Sequence, residues 1–253
     1  MKTALFSLSV FLLFGAPAFG QMDTYELPPG GQMIEVQPIR SGKHPQRALM
    51  LWMLNPQKVP RDTPDDPYSC PEYTRGSHYQ GPTRVSLVDS QTKKIINTIK
   101  IQDPLEGKDT FDIPYRIESG LYYHVAGVAK GKEGKPTIMW LKDYNGDGHA
   151  WEFALFDAIA CMGLPTTLIG YSEAQDRVIQ YPVELTIDSG KKKSTRVAHW
   201  VDYLFSRPPE KPGFWKYAID YRGRAGTLDT YEVRYLPQAE KFTGRLTSTG
   251  DDS

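Results

Sequence analysis

Two cysteines, five histidines and no excess of either charge leave this 253-residue chain few of the usual sources of chemistry. Thirty basic side chains balance thirty acidic ones. No field of one sign arises, and nucleic-acid binding has no global electrostatic support. The basic run "GKKKSTR" at 190–196 reads as a solvated loop tip. The longest apolar run, Leu5 to Phe14, is well short of the roughly 20 residues that cross a bilayer. H-E-x-x-H is absent, and the histidines are scattered, which argues against a zinc enzyme. The pair His149 and Glu152 is too small a set for zinc on its own. No stretch repeats at a fixed period, where propellers and solenoids show self-similarity.

The residues that are present point outward from the cell. "MKTALFSLSVFLLFGAPAFG" has a basic start, a short apolar centre and small residues at its end. That order is expected of a secretory signal peptide spanning 1–20, cut after Gly20 with Ala18 at minus three, or after Ala18. A secreted or periplasmic location follows as an expectation. In an oxidising compartment, Cys70 and Cys161 are candidates for one bridge. It would close about 90 residues and contribute ~4–5 kcal/mol in the chain-entropy account. Two free buried thiols are the alternative. Neither Cys is followed closely by a His, so a catalytic thiol is disfavoured.

Twenty prolines, 22 glycines and many short β-branched or aromatic runs imply an all-β chain built of antiparallel hairpins. The expected organisation is an extended arm at 21–46, one β domain at 47–243 and a disordered tail at 244–253. "RALMLWML" is a strand candidate. "RVSLVDSQTKKIINTIKI" reads as a hairpin with Val85, Leu87, Ile95, Ile96 and Ile99 on its apolar side. A second hairpin is expected around "SEAQDR". "AWEFALFDAIACMG" fits a strand through Phe156 or a helix capped by Gly163. The arrangement expected is an irregular propeller-like domain or, as the alternative, a β-sandwich, in either case monomeric.

One stretch carries candidate chemistry. In "DYNGDG", Asp143, Asn145 and Asp147 occupy alternate positions, with Gly146 and Gly148 between and after them. Oxygens at positions 1, 3 and 5 of a tight loop can converge on a hard cation, and a glycine at position 6 allows the bend. The carbonyl of His149 adds a ligand at position 7. Glu152 is the nearest acid to close the site, and Asp157 a remoter one. Asn-Gly and Asp-Gly are also strong hairpin-turn dipeptides, so a bare turn is the competing reading.

The stretch resembles the calcium loop of EF-hands, dockerins and the FG-GAP or VCBS repeats of secreted β-propeller proteins. The likeness covers about ten residues. It departs from the EF-hand pattern at Ala154, where an acid is usual. It departs from the FG-GAP pattern at Trp151, where Asp is usual and Glu152 comes one place later. The resemblance implies Asp143, Asn145 and Asp147 as side-chain ligands of calcium, His149 through its carbonyl, and a structural role for the ion.

Other constellations are weaker. "GYSEA" is near the G-x-S-x-G nucleophile elbow, which would cast Ser172, an Asp at 188 or 202, and His199 as a triad. His124 and His199 are expected to pack in strands. Trp200 and Trp215 are the aromatics to watch for stacking on sugars. The sequence therefore favours a calcium-stabilised binding or scaffold module with a carbohydrate or protein ligand over an enzyme. A secreted hydrolase of an extracellular polymer is the alternative.

Overall fold

The computed structural model describes residues 25–60, 76–118, 122–129, 131–157, 163–190, 192–222 and 226–250. The expected signal peptide and both cysteines lie outside the described residues, and so does the proposed bridge.

The chain is all-β, with several sheets, and among the described residues none closes into a barrel. The first sheet runs β1 (Gly31–Pro38), β2 (Arg47–Leu54), β5 (Thr83–Asp89), β6 (Ile95–Ile101), antiparallel throughout. The β5–β6 pair is the hairpin expected from "DSQTKK". A middle sheet holds β10 (Glu152–Phe156), β11 (Pro165–Ser172) and β12 (Arg177–Gln180), with β15 (Val201–Asp202) also pairing β11. The third sheet is ordered β14 (Lys193–Ala198), β13 (Val183–Asp188), β18 (Lys241–Gly250), β17 (Thr227–Leu236), β16 (Phe214–Asp220). Its β13–β18 pair is parallel. Short pieces complete the set: β3 (Gln57–Val59), β4 (His78–Gln80) and β7 (Ile113–Pro114) in one sheet, β8 (Ile117–Glu118) and β9 (Glu133–Gly134) in another.

Strand alternation explains the layering. On β10, Phe153 and Leu155 point into a core with Leu49, Leu51 and Val85 of the first sheet. Ala154 points the other way, into a second core with Leu185, Trp215, Val233 and Phe242 of the third sheet. The middle sheet is therefore covered on both faces, and β10 reads as a nearly continuous apolar run for that reason. Of the two readings of "AWEFALFDAIACMG", strand through Phe156 is the one formed, over Glu152–Phe156. Likewise β2 is apolar throughout because Ala48, Met50 and Trp52 form a smaller cluster on its outer face.

Two boundaries need correction. The arm expected at 21–46 contributes β1, which pairs with β2 along its length through a bulge between Met33 and Glu35. Of the tail expected to be disordered at 244–253, residues 244–250 belong to β18, which pairs on both sides. "KFTGRLTSTG" looks polar, but Phe242 and Leu246 share one face at the period of a strand. Gly244 sits where an added Cβ would lie 2.2 Å from the Glu232 carbonyl oxygen, so close backbone approach explains a glycine that otherwise reads as a loop signal.

Candidate metal centre

The loop 143–151 is closed by one narrow antiparallel bridge. Lys142 N–H donates to the Glu152 carbonyl at 2.8 Å and Glu152 N–H to the Lys142 carbonyl at 3.2 Å. Gly146 and Gly148 take φ of 80° and 90°, the left-handed region that favours glycine. The turn chemistry and the Asp-rich pattern thus serve one structure: the glycines curl the chain so that its amides reach the acid oxygens.

The loop's own amides hold its oxygens. Gly146 and Gly148 N–H donate to Asp143 Oδ1 and Oδ2 at 2.7 and 2.9 Å. His149 N–H donates to Asp147 Oδ1 at 2.8 Å, and Asp147 N–H to Asn145 Oδ1 at 2.9 Å. Beneath them lies Glu152, which is 0% exposed. Tyr144 N–H donates to its Oε2 at 3.1 Å. Asn145, also buried, places its Nδ2 between Asp147 Oδ2 at 3.0 Å and Glu152 Oε1 at 3.2 Å. The Tyr181 hydroxyl reaches Oε1 at 3.5 Å.

Glu152 is electrostatically unusual. No Lys, Arg or His among the described residues forms an ion pair with it. Burial, reinforced by the charges of Asp147 and Asp143, pushes its carboxyl up to about 9 against the opposing hydrogen bond from Tyr144. Its charge also adds to the burial that raises Tyr144 to about 12. The fold makes room for this side chain. Glu152 lies opposite Gly170 on β11, where an added Cβ would stand 2.7 Å from Glu152 Cγ and 3.1 Å from the Tyr181 ring. Neither Gly170 nor Tyr181 was legible as part of a site; Gly170 stood out only as the first glycine of "GYSEA".

Of the five residues proposed as ligands, Asn145, Asp147 and Glu152 are brought together through the Asn145 amide. Asp143 lies on the exposed arc of the same loop. His149 turns its ring outward to stack on Trp151, with centroids 4.1 Å apart and planes 8° from parallel. Its carbonyl remains as the ligand candidate. Among the described residues, no three His, Cys, Asp or Glu side chains stand close enough to hold an ion by themselves. Any cation here relies on the amide and carbonyl oxygens as well.

The hydrolase constellation is not assembled. Ser172 is buried in the extended end of β11, absent from the residues with positive φ, and its Oγ accepts from Gln175 N–H at 3.1 Å. It lies six residues along β11 from Thr166, the partner of Val201. That is roughly 20 Å of strand. His199 is exposed and only two residues from Val201, so Ser172 and His199 are separated by more than about 10 Å. Asp188 pairs with Arg245 and Lys193. His124 is exposed rather than packed, Trp215 is fully buried, and Trp200 donates Nε1–H to the Gln102 carbonyl. The indole left open is that of Trp140, 48% exposed, which the sequence did not single out.

Among the described residues, no helix is long and apolar enough to cross a membrane. Comparison of the chain with family models, with curated proteins and with solved structures finds no match.

Proposed function

We propose that the chain is an extracytoplasmic, calcium-stabilised β module that binds or scaffolds rather than catalyses. One observation carries the reading: a fully buried carboxylate, Glu152, faces Asp147 across an amide, with Asp143 behind, and no described side-chain cation offsets it. A divalent ion between these oxygens would reverse the penalty that burial imposes on the charged form. Asp143, Asn145, Asp147 and Glu152 would hold it with side-chain oxygens and His149 with its carbonyl. An Asn amide presents oxygen or nitrogen by a half-turn, and turning the Asn145 oxygen toward an ion would exchange its acceptance from Asp147 N–H for a metal contact. The ion would supply charge compensation and cross-linking, tying the loop to β10.

The loop is also packed against the third sheet. An added Cβ on Gly213, in the turn before β16, would come 2.4 Å from the Asn145 carbonyl oxygen. Fixing the loop therefore fixes one edge of the second core. With calcium at about 100 times its Kd, linkage gives ~2.7 kcal/mol. For a domain of this size that corresponds to a melting shift of roughly 5–10 °C. Differential scanning fluorimetry with calcium and with chelator should show it. Asp143→Ala should remove most of the calcium-dependent shift while losing about 1 kcal/mol of ion-free stability with its two turn hydrogen bonds. Equal melting temperatures with and without calcium in the parent protein would sink the reading. The hydrolase alternative finds no assembled site among the described residues.

A further inference from the structure

A cavity of about 330 Å³ opens beside the Asp-rich loop. It draws on three parts of the fold: 122–125, the approach to the loop at 138–144, and the inner ends of β10 and the 3-10 turn Leu204–Ser206. Its walls are rings. Tyr122 stacks on Phe156 with centroids 5.0 Å apart, and Tyr144 meets Phe205 edge-on at 6.2 Å. Trp140 stands at its mouth. Six aromatic side chains, Tyr123 among them, surround one small concavity, and Trp140 is half exposed there.

Lys142 and His124 are the basic side chains that line the cavity. Lys142 holds its ammonium 4.4 Å from the centre of the Trp140 ring, and the His124 ring tilts against the same indole at 4.5 Å. Among the described residues, no Asp or Glu lines the cavity. In a chain with balanced charge, a pocket bearing a cation and an imidazole but no carboxylate is complementary to an anion. The volume is at the low end for ligand sites and admits one ring, or two small ones.

We propose that this pocket binds a small ring compound bearing a carboxylate, with the ring against Trp140 and Tyr122 and the carboxylate at Lys142. Uronic acids and aromatic acids share this chemistry. The proposal deepens the binding-module reading by naming its ligand class. It stands on the pocket, not on the ion, although Lys142 and Tyr144 belong to the same chain segment as the loop.

The test is a titration of the protein, followed by tryptophan fluorescence and by calorimetry. The probes are galacturonate and benzoate, each beside its neutral counterpart, galactose and benzamide. The runs are made in calcium and again in chelator. At least one acid should bind about tenfold more tightly than its neutral partner, as a charge-assisted contact implies. Which acid binds tells a polyhydroxyl ring from a flat apolar one. Lys142→Met, which keeps the stem, should abolish the preference for acid over neutral compound. Trp140→Ala should weaken both, with melting temperature confirming that each variant is folded. Acids that bind no better than their neutral partners would overturn the proposal, as would a preference that survives Lys142→Met. If acids fail to bind while calcium still raises the melting temperature, the ligand assignment falls and the calcium reading stands. If acids bind and calcium changes nothing, the reverse holds.

Discussion

Glu152 concentrates the tension in this molecule at a single side chain. Burial pushes its carboxyl up to about 9 from an ordinary 4.5. A group whose folded value is raised stabilises fully below the unfolded value and loses that contribution as pH rises toward the folded one. Ion-free stability should therefore fall between about pH 4.5 and pH 9, by at most ~1.4 kcal/mol per unit from this group. Glu152→Gln keeps the shape of the neutral acid and removes the titration. In chelator at pH 8 it should melt above the parent protein; in calcium the order should reverse, because an uncharged amide is a poorer ligand for a hard cation. Thermal melts at several pH values, with and without calcium, check both signs. The sequence exposed the candidate oxygens through their alternate spacing, but not the burial of Glu152. Burial depends on Gly170 across the sheet and Tyr181 beyond it, and neither spacing nor composition connects those three residues.

Hairpins were the most legible elements, because turn dipeptides and alternation are local. Contacts between them were not. "IINTIKI" placed Ile95, Ile96 and Ile99 on one side, yet the pairing shifts between Leu87 and Val88 and leaves Ile96 facing out at 38% exposure. The irregularity frees Asn97 to act as a strand partner for β12: its Nδ2 donates to the Val178 carbonyl and its Oδ1 accepts from Val178 N–H, both at 2.9 Å. A stronger tie joins β2 to the β11–β12 turn. Arg47 donates Nε–H and Nη2–H to the two oxygens of Asp176 at 2.9 and 2.6 Å, and Nη1–H to Asp89 at 2.9 Å. Arg47 holds the Asp176 carboxyl below its usual range, and backbone amides at Thr92 and Gln91, with Arg47, do the same for Asp89. Both acids lower their folded values, so their contribution is present above the ordinary carboxylate range and is lost as pH falls through it. Arg47→Met removes the two-pronged partner of the half-buried Asp176 and should cost about 1–3 kcal/mol at neutral pH. It should also flatten the acid limb of the stability curve below about pH 4, because Asp176 then titrates nearer its unfolded value. Urea midpoints from pH 3 to pH 7 would reveal both effects, and an unchanged acid limb would show that the tie contributes nothing.

At the scale of the molecule, the strand pattern made the all-β class legible but hid how the chain closes on itself. Parallel pairing between β13 and β18 joins segments more than fifty residues apart, and no local pattern encodes such a contact. Yet β18 sits at the centre of the third sheet, bonded to β13 on one side and to β17 on the other. Its Phe242 is fully buried and meets Phe205, Trp215, Tyr181 and Tyr235 at centroid distances from 5.1 to 5.9 Å. Tyr181 in turn touches the Glu152 cradle. Removing residues 241–253 would split the sheet into β13–β14 and β16–β17, bare two edges and open the second core. The shortened chain should lose its cooperative thermal transition, bind a hydrophobic dye and show no calcium-dependent shift. Phe242→Ala is the graded version: the strand stays, and a cavity costs about 3–5 kcal/mol. That loss should lower the melting temperature by roughly 6–20 °C while leaving cooperativity intact. A truncated chain that still melts sharply near the parent temperature would mean that the third sheet is held by something other than its central strand.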